Sequence, residues 1–181
     1  MRSRTQGYTS HVLVLAGLVI LVLWGLLPGD RAPGRVAPPG GGWDTTDRNV
    51  KSNRNLHRAL TLVRGSSMAE LRRRAEAVDA TAVSDTLASH YGQVVKLTGV
   101  LHLRPGWGGL PDDPTLYGGS APWVLTVDRG PEVTLVLCGA ESVSGEGRRV
   151  SVYGYPAGVA QPDAPVGAAP QLVLVGRSEP L

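Results

Sequence analysis

Hydrophobic residues in the second half of the chain occur in short runs that alternate with polar residues and stop at glycine or proline. Such alternation is typical of β-strands that bury one face, and turn residues mark where strands end. The pattern predicts five strands, at residues 94–103, 122–128, 132–138, 149–155 and 171–177. On the first three strands it predicts that one set of side chains faces a core: Val95, Leu97, Leu101, Leu103, Trp123, Leu125, Val127, Val133, Leu135 and Leu137.

Gly99 interrupts the first of these strands, and a glycine inside a strand often marks a bulge or a bend. A long bent strand, four further strands and a short excursion at residues 139–148 predict an OB-fold, which is a small five-stranded barrel. We therefore expect a mainly β protein with an OB-fold-like barrel at residues 93–181. Residues 104–122 are expected to form an insertion in this barrel.

Upstream of the barrel the apolar residues recur at helical spacing. One short amphipathic helix is predicted by the positions of Leu56, Leu60 and Val63. Ser67 and Glu70 form a capping box that predicts the start of a second helix, and a third is expected from about Ser84. The arginines at 72–74 are expected to fan around the second helix as a solvated face, with contact to anionic lipid or an acidic partner as the alternative. Residues 55–92 are thus predicted to be a lead-in of short α-helices.

The N-terminal part of the chain is hydrophobic without alternation. Residues 12–27 carry no polar side chain, and with their flanks they reach the length of about 20 residues that a membrane-spanning helix needs. We expect a single N-terminal transmembrane helix at residues 12–29, after a tail at residues 1–11. The alternative is a cleaved signal peptide, but the apolar run is long for one and no small-residue cleavage site follows it directly.

Residues 30–54 begin with a stretch rich in proline and glycine, which disfavours both helix and strand. They are predicted to be a linker between the transmembrane helix and the helical lead-in. Basic residues are nearly balanced on the two sides of the apolar run, so the orientation follows the usual arrangement of an N-terminal anchor. The expected location is the inner (cytoplasmic) membrane of a bacterial envelope, with the C-terminal domain periplasmic.

The order of these elements resembles that of a known family. A helical segment "MAELRRRAEAVDATAVSDTLASHYGQ" leads into "VVKLTGVL", and "VTLVLC", "RRVSVYGYPAG" and "LVLVGRSEP" follow. Over residues 67–178 this arrangement is similar to the tRNA_anti-like family of bacterial OB-fold domains. That family has a Cys in strand three, here Cys138, and a V-x-V-x-G pattern in strand four, here residues 150–154. The resemblance implies the OB-fold without implying tRNA binding, and the insertion at 104–122 departs from the family pattern.

The charge distribution argues against a nucleic-acid site. Residues 1–92 hold 12 Lys/Arg and 7 Asp/Glu, whereas residues 93–181 hold 6 and 8. The strand positions expected to face outward are Lys96, Thr98, His102, Thr126, Asp128, Glu132, Thr134, Ser151, Tyr153 and Tyr155. A groove for single strands needs many cations and stacking rings, so we expect no nucleic-acid partner.

No catalytic residue, cofactor or metal site is predicted. The four histidines lack the spacing of metal ligands, and Cys138 is expected to be an inert thiol. A reactive pair of Cys138 with His102 would require that adjacent strands bring the two together. Haem chaperones of cytochrome c maturation are similar in their anchor and barrel, but their H-x-x-x-Y motif is missing from "LVLVGRSEPL". We therefore expect that the protein is not an enzyme.

A binding or structural role remains. We expect an accessory subunit of a larger membrane-protein complex, for example a respiratory or photosynthetic one, in contact with the lipid bilayer and other integral membrane proteins. The residues predicted to contact partners are Ala16, Gly17 and Gly25 in the transmembrane helix, and Trp107, Leu110, Leu116, Tyr117 and Trp123 in or beside the insertion. The first alternative is a free-standing envelope protein that binds a small ligand, peptide or glycan, and the second is a protein that binds single-stranded nucleic acid.

Overall fold

The computed structural model describes residues 42–104, 106, 108–118, 122–128, 130–139, 146–161 and 169–181. These residues belong to one compact unit, residues 41–181. The predicted tail and transmembrane helix lie outside the described residues, and no helix within the described part is long and apolar enough to cross a bilayer. The elements, in chain order, are α1 (Asn55–Arg64), α2 (Met68–Arg74), β1 (Glu76–Ala77), α3 (Ala80–Asp85), α4 (Leu87–His90), β2 (Val95–Leu103), α5 (Pro114–Tyr117), β3 (Pro122–Val127), β4 (Val133–Leu137), β5 (Arg149–Ala160) and β6 (Gln171–Pro180).

Five strands form a closed barrel in the order β2-β3-β4-β6-β5, and β5 pairs back onto β2. The β4–β6 pair is parallel and the other barrel pairs are antiparallel. The prediction of a mainly β fold with a five-stranded barrel is confirmed. The last two strands are longer than predicted. β5 continues to Ala160, which pairs with Gln171 beyond an irregularity between Pro156 and Gly158, and β6 continues to Pro180, which pairs with Val150.

The barrel interior is filled with aliphatic side chains. Leu97, Leu125 and Leu135 face inward as predicted, and all three are buried. Leu103 is 53% exposed, so its predicted burial is wrong; it is the last residue of β2, where the strand ends. The helices α3 and α4, which precede the barrel in the chain, contribute three side chains to the same core: Ala80, Val83 and Leu87.

A second core lies outside the barrel wall, between the sheet and α1. The predicted apolar positions of α1 are buried there against residues of β4, β5 and β6: Leu56, Leu60 and Val63. Tyr155 and Tyr153 lie on the outer side of β5, as predicted, but both are buried in this core. Strand alternation gives the side of the sheet on which a residue lies but not what covers that side.

The second helix begins as predicted, with the Ser67 hydroxyl accepting a hydrogen bond from the backbone N–H of Glu70 at 3.2 Å. It ends at Arg74, earlier than its apolar pattern indicates, because the next residues form β1. Glu76 and Ala77 pair in parallel with Val95 and Lys96 of β2. Hydrogen bonding to a sheet edge here overrides the local helical propensity.

Residues 42–54, predicted to belong to the linker, pack on the barrel instead. Val50 is fully buried, and its N–H donates to the carbonyl of Val159 at 3.0 Å. The Asp44 side chain accepts from the N–H groups of Thr46 and Asp47, which closes a local turn. The segment is rich in Asp and Asn, whose side chains replace regular secondary structure as backbone partners.

Gly99 lies where β2 passes from β5 to β3, as the predicted bend requires. A Cβ atom on this residue would come within 2.3 Å of the carbonyl oxygen of Thr126. The glycine is therefore needed because it lets two backbones approach closely.

Candidate functional site

The predicted partner-contacting residues do not form one exposed surface. Leu110 and Tyr117 are buried in the core beneath α1, and Trp123 is buried inside the barrel. Leu116 is half-buried, and its carbonyl accepts a hydrogen bond from Arg64 of α1 at 2.6 Å. Trp107, Ala16, Gly17 and Gly25 lie outside the described residues.

The described part of the insertion folds back onto the domain. The hydroxyl of Tyr117 donates to the carbonyl of Pro111 at 2.8 Å, and burial raises the pKa of this hydroxyl to about 12. Gly109 has φ +78°, and a Cβ there would approach the carbonyl oxygen of Gln161 to 2.3 Å. The Asp113 carboxylate accepts from the Thr115 N–H at 3.0 Å and begins α5. The two hydrogen bonds hold the insertion together internally, and Gly109 lies directly against the end of β5.

Arg104 continues this covering at the end of β2. Its guanidinium donates to the Thr134 hydroxyl at 2.8 Å and to the Gly108 carbonyl at 2.6 Å. Thr134 in turn donates to Gln171 at 2.9 Å. Thr134 lies on the outer side of β4, as predicted, but it is fully buried because Arg104 and the returning insertion cover that side.

A polar cluster lies where β5 and β6 meet α2. The Tyr153 hydroxyl donates to Glu179 at 2.7 Å, and Arg72 forms an ion pair with the same carboxylate. The hydrogen bond from Tyr153, followed by the contact with Arg72, lowers the pKa of Glu179. The Lys96 ammonium lies 5.7 Å from the Tyr153 ring. Each charged group has a nearby partner, which is the arrangement of a structural network.

An aromatic cluster that the strand and helix patterns did not predict forms around Trp43. Its ring stacks on Tyr91 at 5.7 Å and on Tyr155 at 6.2 Å. The Arg58 guanidinium lies 5.7 Å from the Trp43 ring, and the Arg74 guanidinium lies 5.8 Å from the Tyr155 ring. The sequence signal was a lone Trp directly after a run of glycines.

A cleft of about 500 Å³ opens to solvent beside β2. It lies where β1 and β3 pair with different parts of the same edge of β2 and diverge. The floor is formed by residues 96–98, and the walls by residues 77–80 and 127–128. Lys96, Asp79 and Asp128 give it mixed charge, and Asp128 forms an ion pair with Arg149.

Cys138 is buried at the end of β4 and is not adjacent to His102. β3 lies between β2 and β4, and the register places His102 in the row of Thr134, four residues before the cysteine. The structure therefore does not form the Cys–His pair considered from the sequence. No cluster of three or more His, Cys, Asp or Glu suited to a metal ion occurs in the described ranges.

These features define a closed five-stranded β-barrel module whose outer wall is wrapped by its own N-terminal helices and insertion. No protein-family model, curated protein or solved structure gives a significant match to the chain.

Proposed function

We propose that the protein is a single-pass, membrane-anchored and non-catalytic accessory subunit of a larger membrane-protein complex. Residues 12–29 would form the anchor in the cytoplasmic membrane, and the barrel would contact other integral membrane proteins on the periplasmic side. We also propose that the barrel is an OB-fold related to the tRNA_anti-like family. The five-stranded closure and the parallel β4–β6 pair support this assignment.

One observation carries the functional proposal: the chain itself occupies part of the surface that OB-folds use for ligands. Oligonucleotides and oligosaccharides bind OB-folds across the second and third strands, between the loops that join strands one to two and four to five. The five barrel strands begin with β2, so the third barrel strand is β4. The outer side of β4 is buried by the segment that contains Arg104 and Leu110. A polymer bound in that position would have to displace core residues.

The outer side of β2 and β3 is the part of this ligand surface that remains accessible, and its composition favours contact with a protein over binding of phosphate. The outer side of β2 and β3 presents Val100, His102, Val124 and Thr126, all half-buried or exposed. One neighbouring cation, Arg149, is already paired with Asp128. A mixed apolar and neutral polar strip of this kind fits the surface of another protein better than it fits a charged backbone.

The test is purification of the tagged, full-length chain from native membranes in mild detergent, followed by native gels and mass spectrometry. We expect a stoichiometric set of membrane proteins, and a free 19 kDa chain would contradict the proposal. Thr126→Glu, on the exposed strip, should release the partners. Thr61→Glu, an equivalent change on the exposed side of α1, is the matched control.

The cleft beside β2 supports a second candidate function, the binding of a small ligand or peptide in the envelope. Its volume of about 500 Å³ lies in the range of small-molecule sites, although such sites are usually more enclosed. A ligand screen by thermal shift tests this candidate. A hit that Thr98→Ala, in the cleft floor, does not weaken would count against it.

A further inference from the structure

We propose that a basic face formed by Trp43, Arg54, Arg58, Arg73 and Arg74 docks on the anionic phospholipid headgroups of the membrane that anchors the chain. The inference rests on the proposed function in one respect, namely that residues 12–29 hold the protein in a bilayer. It adds a second contact, made by the folded domain itself.

The first observation is a separation of charge within the domain. Residues 42–75 carry eight Lys/Arg and three Asp/Glu, whereas residues 76–181 carry six and eleven. The first group folds as one continuous cover, made of residues 42–54, α1 and α2, on the outside of the barrel. The domain therefore has a basic side, which includes the N-terminal residues of the described part of the chain.

Of the three arginines of α2, Arg73 is directed away from the barrel. Arg72 pairs with Glu179 of β6. Arg74 lies over Tyr155 of β5 and forms an ion pair with Glu70. Leu71 is fully buried, so the three residues that follow it occupy the remaining circumference of the helix at about 100° intervals. The side chains of Arg72 and Arg74 are 58% and 44% exposed. Arg73 lies opposite Leu71, is exposed, and makes no hydrogen bond or ion pair within the described structure.

The aromatic cluster brings cations of two helices onto the same side. Arg58 of α1 lies over Trp43 and Arg74 of α2 lies over Tyr155, while the Trp43 and Tyr155 rings are 6.2 Å apart. Arg54 precedes Arg58 by four residues, one helical turn, and is exposed. The basic face is therefore one contiguous surface in which Trp43 contributes a half-buried ring.

Chain connectivity selects lipid as the occupant of this face. Residues 28–41 join the apolar segment to Trp43, and even fully extended they cannot span more than about 50 Å. Basic residues are attracted to an anionic bilayer surface, and the attraction acts over a Debye length of about 8 Å at physiological salt. The bilayer is thus the anionic partner that the covalent link keeps near the basic face.

The experiment uses residues 41–181, which form one compact unit that contains both hydrophobic cores. Co-sedimentation is measured with phosphatidylcholine vesicles that either contain or lack phosphatidylglycerol. We expect binding to the phosphatidylglycerol vesicles alone, weakening as salt rises. Arg54→Gln and Arg73→Gln should each reduce the partition coefficient about fivefold, the effect expected for one basic residue near an anionic surface.

Arg148→Gln is the matched control, because Arg148 is an exposed arginine seven residues before Tyr155 along the β5 chain, about 20 Å away. It should leave binding unchanged. Equal binding to both vesicle types, no binding, or equal losses for Arg148→Gln and Arg73→Gln would each overturn the proposal.

A separate experiment tests whether residues 12–29 anchor the chain in a membrane. Leu18→Arg with Val22→Arg places two charges in the apolar segment of the full chain and should release it from membranes at alkaline pH. If the unaltered chain is already released by that treatment, the proposed anchor is wrong, whereas vesicle binding by residues 41–181 reports on the basic face alone.

Discussion

The side chain of Asn55 holds the backbone of Asp44 through two hydrogen bonds. Its carbonyl oxygen accepts from the Asp44 N–H at 2.9 Å, and its amide donates to the Asp44 carbonyl at 2.8 Å. This pairing fixes the residue next to Trp43 to the first turn of α1. The segment that contains Trp43 is therefore attached to α1 by side-chain hydrogen bonds.

Asn55→Ala should destabilise the domain by about 1–3 kcal/mol, because it leaves two backbone groups of Asp44 without these partners. Urea unfolding of residues 41–181 measures the change. Asn49→Ala removes a single exposed bond to the Lys51 N–H and should cost less than about 1 kcal/mol. Equal losses in the two variants would show that the pairing with Asp44 has no special weight.

Gly92→Ala should displace Trp43. Gly92 has φ +81°, and a Cβ there would lie 2.8 Å from the indole Nε1. We expect a loss of stability larger than the roughly 1–2 kcal/mol typical of a left-handed alanine, and a shift of the Trp43 indole resonance in NMR spectra. Gly147→Ala is the control, because Gly147 has φ +78° with nothing within 4 Å. An unchanged Trp43 resonance in Gly92→Ala would contradict this packing.

Tyr153→Phe should cost stability in a pH-dependent way. The hydrogen bond from Tyr153 is the largest cause of the lowered pKa of Glu179, whose ordinary value is 4.5. A carboxyl group with a lowered folded-state pKa stabilises the fold above its unfolded pKa, and this contribution is lost as pH falls through the folded value. The variant should therefore be less stable by about 1 kcal/mol near pH 7, and the difference should shrink below about pH 4.

Tyr117→Phe provides the comparison for that measurement. Its hydroxyl donates to the carbonyl of Pro111, which does not titrate, so its loss should cost a similar amount at both pH values. Stability is followed by thermal unfolding across the pH range. A Tyr153→Phe difference that does not change with pH would contradict the role assigned to Glu179.

Leu110→Ala should destabilise the domain by about 2–4 kcal/mol, since a fully buried leucine leaves a cavity when truncated. Leu103→Ala, at a position that is 53% exposed, should change stability by less than about 0.5 kcal/mol. Chemical unfolding of both variants checks the expectation. A tolerated Leu110→Ala would indicate that the insertion is not part of the core.

Strand periodicity was enough to predict the barrel, because each predicted run has an apolar face and ends at turn residues. Helix α1 was predicted for the same reason, from its three apolar positions. The wrong assignments concern residues whose burial depends on packing between distant parts of the chain. Tyr155 is on the outer side of β5, as its alternation implies, but α1 and α2 cover that side.

The candidate surfaces were harder to predict than the fold. Leu110 and Tyr117 look like exposed anchors in a Gly- and Pro-rich insertion, and nothing local indicates that the insertion folds back on α1. The basic face depends on the stacking of Trp43 on Tyr155, residues more than a hundred positions apart in the chain. Periodicity describes residues that are close in the sequence, so it does not predict a contact between two residues this far apart.

The position of β6 between β4 and β5 has a consequence for biogenesis. Both neighbours are synthesised before it, so a nascent chain on the ribosome has an open sheet until residues 171–180 emerge. Until then Leu135 and Val152, which face the barrel interior, lack the strand that closes over them. The barrel can therefore close only after nearly the whole domain has been synthesised. Until then its aliphatic strands are exposed, and a chaperone could bind them.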